Sequence, residues 1–145
     1  MVEFARVYLE TSVSLRRTLR QPGALTGIDW VSAYSSELLA VEVRRTFDRL
    51  RLARTMPKRK LAQLLDEAER NLAGITLVPV DQSVLERAGE PFPTPLKTLD
   101  AIHLATALLL NDDLGGGIVL LTHDRQLGVA ALACGLTVHP DPMAP

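Results

Sequence analysis

The feature that most constrains this 145-residue chain is an apolar stretch from Leu96 to Leu108, Leu-Lys-Thr-Leu-Asp-Ala-Ile-His-Leu-Ala-Thr-Ala-Leu, with one carboxylate, Asp100, near its start. Ile102, Ala105, Thr106 and Leu109 recur at helical spacing, which predicts a helix with one side facing a core. Pro95 precedes the stretch, and Thr98 is a residue type that caps helix N-termini. Asp100 then falls in the first turn, at the end of a buried helix, where a carboxylate is held rigidly and still reaches solvent. What the chain can do depends on which other carboxylates it brings there.

A chain of this length suffices for one domain, residues 1–145, with a real core. Hydrophobic residues make up 47%, which predicts a folded globule, and aromatics only 4%, which argues against a base-stacking platform. Cys134 is the only cysteine, so neither an intrachain disulfide nor a cysteine zinc cluster is available, and a reducing, cytoplasmic setting fits. The N-terminus lacks the basic-then-apolar order of a signal peptide. No apolar run approaches the roughly 20 residues that span a bilayer, so no membrane association is expected.

The net charge of −1 hides an asymmetry: residues 1–60 hold 12 Lys/Arg and 6 Asp/Glu, whereas residues 61–145 hold 4 and 11. Arg44, Arg45, Arg49, Arg51, Arg54, Lys58, Arg59 and Lys60 crowd one segment against Asp48 alone. Such a run suits phosphates, and Arg16 and Arg17 add to it, although basic helix faces are also common on ordinary surfaces.

In chain order, Phe4 to Leu9 reads as a strand, 13–20 as a helix, and Trp30 to Tyr34 as a second strand. Ser35 or Ser36 then caps a long helix, about 36–54, with Leu39, Val43, Phe47 and Leu50 inside. Residues 58–72 form another amphipathic helix, Ile75 to Val80 a strand, and 82–88 a short helix capped by Asp81. Asn111 to Gly117 is read as a turn, and 117–121 as a buried strand. Asp124 opens a helix over 125–134, and 136–138 is a last strand before a loose Pro-rich tail, 139–145. Strands separated by helices predict an α/β fold, a mainly parallel sheet flanked by helices. Ligands of such sheets bind beyond the carboxyl ends of the strands, where Glu10 and Asp124 would sit.

Four carboxylates stand out by context: Glu10, Glu42, Asp100 and Asp124. Each also has an ordinary use. Asp124 is a helix cap, Asp100 a first-turn acid favoured by the helix dipole, and Glu10 a loop residue. Glu42 lies in the apolar run Leu38-Leu39-Ala40-Val41-Glu42-Val43, where a buried charge needs a partner, either Arg44, Arg45 or a cation. Together the four carboxylates suit a hard divalent ion, Mg²⁺ or Mn²⁺, that relieves their repulsion and orients water at a phosphodiester. His103, three residues after Asp100, lies on the same side of the helix, and packing or a local bond is its expected role.

Tyr8-Leu9-Glu10-Thr11-Ser12, Ser36 with Glu42, Leu99 to Ala107, and Leu121-Thr122-His123-Asp124 follow the order and spacing of PIN domains. The chain resembles the VapC type, the ribonuclease toxins of toxin–antitoxin pairs, over nearly its whole length. The resemblance implies a three-layer α/β/α fold and a Mg²⁺- or Mn²⁺-dependent endoribonuclease. It implies Glu10, Glu42, Asp100 and Asp124 as catalytic and metal-holding acids, with Thr11 and Thr122 as supporting hydroxyls. On that reading the basic residues around 16–20 and 44–60, Arg16, Arg17, Arg44 and Arg45 among them, would grip the RNA backbone; the resemblance also implies a homodimer and a small antitoxin, and a guanidinium from that partner would suit the acids. One departure is visible: Glu10 stands where the family more often has Asp. The extra methylene moves the carboxylate by roughly 1.5 Å, about one C–C bond. An alternative reading is a PIN-like scaffold that binds a partner without cleaving RNA. A receiver-like or phosphatase-like domain would need strict β-α alternation, which the helical block 36–73 breaks.

Overall fold

The structure, a computed structural model, describes residues 1–145. Its elements run β1 (Val2–Leu9), α1 (Thr11–Thr18), β2 (Ile28–Ser36), α2 (Leu38–Ala53), α3 (Lys58–Ala73), β3 (Thr76–Val78), α4 (Gln82–Ala88), α5 (Thr98–Asp113), β4 (Ile118–Leu121), α6 (Arg125–Ala133) and β5 (Thr137–His139). The strands form one sheet in the order β3-β2-β1-β4-β5, and every neighbouring pair is parallel. Parallel pairing forces each connection to cross back over the sheet, so both faces become covered.

Side-chain alternation along the strands sorts the core into two sides. Tyr8 of β1 and Ile118 and Leu120 of β4 pack with Leu104 and Ala107 of α5 and Leu127, Ala130 and Ala131 of α6. Val7, Leu9 and Leu121 face the other way, onto Val13 of α1. On that side α2 and α3 close around Leu39, Val43, Phe47, Leu64, Ala68 and Leu72. The result is the expected three-layer α/β/α arrangement. No helix is long and apolar enough to cross a membrane.

The chain builds outward from β1 through β2 to β3, then returns to the other side of β1 for β4 and β5. The crevice beyond the ends of β1 and β4 is therefore the switch point where open parallel sheets bind ligands. Helix α5 runs back along the sheet, because Asn111 near its end accepts the N–H of Ile118 at the start of β4 (3.0 Å). Its N-terminus, with Asp100, thus lies at the carboxyl edge of the strands.

Several element boundaries differ from expectation for local reasons. Helix α1 starts at Thr11, because Glu10 is its N-cap. Strand β3 stops at Val78, because Pro79 has no N–H to continue the ladder. Strand β2 extends on both sides of 30–34, and its last residues, Tyr34 to Ser36, gain β3 as a second partner. Ser36 accepts the N–H of Leu38 (3.1 Å) ahead of α2, while Ser35 donates to the carbonyl of Leu9 (2.6 Å). Thr98 is the first helical residue of α5 and Lys97 its N-cap, with no side-chain capping bond.

Helix α5 is also buried more widely than one stripe: Ala101 and His103 to Ala107 are all buried, and Ile102 and Leu109 lie at the margin. It continues to Asp113, and the turn that follows has Gly115, Gly116 and Gly117 at positive φ, a conformation that side chains disfavour. The guanidinium of Arg6 donates to the carbonyls of Leu114 and Gly116 there (3.3 Å each). At the C-terminus, His139 belongs to β5 and its carbonyl accepts the N–H of Thr122 (3.2 Å). Pro142 packs so closely on Gly128 of α6 that a Cβ there would stand 3.0 Å from it.

Candidate active site

Glu10 leaves β1 at the sheet edge, and its N–H donates to the carbonyl of Leu121, which ties the ends of β1 and β4 together (3.1 Å). The residue is buried, not a solvated loop position. Its Oε2 accepts the backbone N–H of Ser12 (3.1 Å), the Ser12 hydroxyl, and the hydroxyl of Thr122 (2.9 Å). The carboxylate folds back over the first turn of its own helix, as N-cap acids do. Thr122 in turn accepts the N–H of Asp124 (3.0 Å), and Asp124 caps α6 through Oδ1, which accepts the N–H of Leu127 (2.9 Å).

Glu42 lies in the second turn of α2, with its side chain 26% exposed, so it borders solvent rather than sitting in the core. Neither expected arginine reaches it. Arg44 pairs with Glu69 of α3 (2.8 Å) and Arg45 with Asp48 (3.0 Å). Instead Oε1 of Glu42 accepts the hydroxyl of Thr11 (3.0 Å) and stands 2.6 Å from Nε2 of His103. A carboxylate only accepts, so Nε2 carries the proton and donates. The Nδ1 of a neutral ring is then an acceptor, and the Tyr8 hydroxyl donates to it (2.8 Å). Tyr8 is completely buried, and that burial pushes its phenol far above the ordinary range, which keeps it a donor. His103 thus does more than pack.

Asp100, in the first turn of α5, has no hydrogen-bond partner in the protein. Its pKa is pushed up from 3.8 to about 6, first by burial and then by the charges of Asp124, Glu10 and Glu42, against which only a protonated His103 would act. The four acids selected from sequence therefore feel one another across the edge.

A common pattern runs through three of them. Glu10, Glu42 and Asp124 each commit one oxygen to protein donors and leave the other, Oε1, Oε2 and Oδ2 respectively, without one. Anchored carboxylates with a free oxygen are suitable donors for a hard divalent cation. No three Asp, Glu, His or Cys side chains form a ready-made metal cluster. The donor chemistry fits Mg²⁺ or Mn²⁺.

Of the arginines expected at the site, Arg44 and Arg45 are held in surface ion pairs, and Arg17 is turned away from the acids toward the amino ends of the strands, where Trp30 pairs with Phe4. The Arg17 guanidinium lies 4.4 Å over the Trp30 ring. Arg16 stands near His123, whose pKa is lowered by burial first and by Arg16 second. His123 donates its N–H to the Ser12 hydroxyl (3.0 Å), and its Nε2 is buried without a partner. Sequence reasoning left out Tyr8 and Ser12. Ser12 is readable as a helix-start hydroxyl two residues after the acid, whereas the Tyr8 contact joins residues 95 apart.

A parallel sheet in this order with acids at its switch point defines a class, and a family model for the PIN domain matches residues 7–132. The chain belongs to the PIN-domain family. Among curated relatives it is 36% identical over 143 residues to Ribonuclease VapC46 of Mycobacterium tuberculosis (strain ATCC 25618 / H37Rv), covering 92% of this chain and 96% of that protein. It is 26% identical over 121 residues to Ribonuclease VapC47 of Mycobacterium tuberculosis (strain CDC 1551 / Oshkosh), covering 83% and 86%.

Proposed function

We propose that this chain is an endoribonuclease of the VapC type, the toxin of a toxin–antitoxin pair, and that it hydrolyses RNA phosphodiester bonds with a divalent cation. The observation that carries the reading is the arrangement of the acids. Three anchored carboxylates with free oxygens face Asp100, whose pKa is raised first by burial and then by their charge. Glu10, Glu42, Asp100 and Asp124 would hold Mg²⁺ or Mn²⁺. When bound, such an ion neutralises charge on the phosphate and acidifies a water. Hydrolysis there would place the water oxygen on phosphorus and release the 3′ oxygen, which would end with the proton that the water gives up.

Thr11 and Thr122 hold Glu42 and Glu10 in place. Arg16, near His123, would take an RNA phosphate beside the acids, and Arg17, over Trp30, would do so only further along the surface. In the basic run, Arg44, Arg45 and Arg51 already have carboxylate partners, so the free cations Arg54, Lys58, Arg59 and Lys60 are better suited to extend the strand's path. A homodimer and a small antitoxin offering an arginine to the four acids complete the reading, as does the reducing cytoplasm for a chain with one free cysteine.

The test is cleavage of a fluorogenic single-stranded RNA by purified protein. We expect cleavage with Mg²⁺ or Mn²⁺, none with EDTA, and loss by at least about 100-fold in Asp100→Asn. Equal cleavage by wild type and Asp100→Asn would contradict the assignment.

A further inference from the structure

We propose that His103 is a positioning residue, which receives a hydrogen bond from Tyr8 and passes one to Glu42 so that the free oxygen of Glu42 faces the other acids. The proposal rests on the cation-site reading above and concerns how one of its carboxylates is held.

The need for such a clamp follows from where each acid sits. Glu10 and Asp124 are N-cap residues, and backbone N–H groups of their own helices hold them. Asp100 stands in the first turn of α5, close to that helix's free N–H groups. Glu42 lies inside α2, where the backbone N–H groups are already used by the helix. Only side chains from other elements can orient it. The structure supplies two, Thr11 from the start of α1 and His103 from α5, and both reach the same oxygen.

His103 is built to hold rather than to react. It is 1% exposed, so it has no path to substrate, and both ring nitrogens are committed. Tyr8, itself at 0% exposure, stands edge-on to the ring with an interplanar angle of 82°, which fixes the imidazole plane. The partners also tie the acids to one another. Tyr8 is two residues before Glu10 on β1, Thr11 one residue after it, and His103 three residues after Asp100 on the same helical side. A shift of any one of these elements therefore moves Glu42 as well. Outer partners of this kind, when removed from metal ligands, cost about 10–100-fold in metal affinity.

The test compares two double variants with wild type by Mn²⁺ calorimetry and metal-free thermal unfolding. Tyr8→Phe with His103→Leu removes both polar ends together, so no buried hydroxyl is orphaned. Tyr8→Phe with His103→Gln restores an amide N–H near the position of Nε2 and adds an amide oxygen. We expect the leucine variant to bind Mn²⁺ at least about 10-fold more weakly than wild type, and the glutamine variant to recover most of the loss.

Equal affinity in all three proteins, with only the unfolding temperature changed, would overturn the proposal, and so would equal weakening in both variants. Absence of Mn²⁺ binding in wild type would overturn the cation-site reading itself, and the clamp with it. Nitrogen-15 shifts of the His103 ring in wild type provide a check that needs no variant. A proton on Nε2 is expected, and a bare Nε2 would overturn the proposal even if the leucine variant failed to fold.

Discussion

Asp100 is the residue where environment and chemistry meet most openly. Its raised pKa means that the folded chain keeps a proton there that the unfolded chain has already released. Between 3.8 and about 6 the folded state binds more protons, so this group's contribution to stability falls as pH rises through that window. Asn at this position removes the charge but keeps the size. Metal-free Asp100→Asn should therefore unfold about 3 °C above wild type at about pH 8, on the order of 1 kcal/mol after solvent screening, and show no gain below about pH 4. A scan of unfolding temperature against pH measures this directly. Thr122 is the opposite kind of residue, buried and doubly bonded between Glu10 and Asp124. Thr122→Val keeps the shape but leaves the Asp124 N–H and one carboxylate contact unmet. It should cost about 1–3 kcal/mol in urea unfolding.

At the scale of elements, burial and not charge holds α2 against α3. Phe47 is almost fully buried between them, whereas Arg44 and Glu69 meet on the surface. Phe47→Ala should cost about 3–5 kcal/mol of unfolding free energy, and Arg44→Ala less than about 1 kcal/mol, by denaturant titration at moderate salt. Most elements were legible in the sequence because their signals are local. Gly74 marks the start of β3, although its end was read past Pro79 to Val80; Asp81 caps α4, and the spacing of Leu39, Val43 and Phe47 marks the inner side of α2. The reading fell short where the deciding contact is distant. The true partner of Glu42 is 61 positions away, so sequence proximity pointed to Arg44 and Arg45 instead. Likewise β2 runs longer than its apolar alternation, because neighbouring strands, not its own pattern, set its ends.

Over the whole molecule, topology explains why four acids scattered from position 10 to position 124 share one edge. β1 lies at the centre of the sheet, β4 lies next to it, and α2 and α5 both present their N-terminal turns beyond the strand ends. The identities of the acids were readable from motif and order. Asp124 as the cap of α6 was readable too, whereas how Glu42 is held was not, because its meeting with His103 depends on the assembled core. In the proposed site these carboxylates act together on one or two divalent cations. Mn²⁺ titration by calorimetry of wild type and Asp100→Asn, at about pH 8 and about pH 5, tests it most directly. Protons compete for Asp100 below its pKa of about 6, so wild type should bind more weakly at the lower pH. Asp100→Asn should bind weakly at about pH 8 and lose the part of the pH dependence that Asp100 supplies. Equal Mn²⁺ affinity of the two proteins at about pH 8 would show that Asp100 holds no cation and would contradict the account.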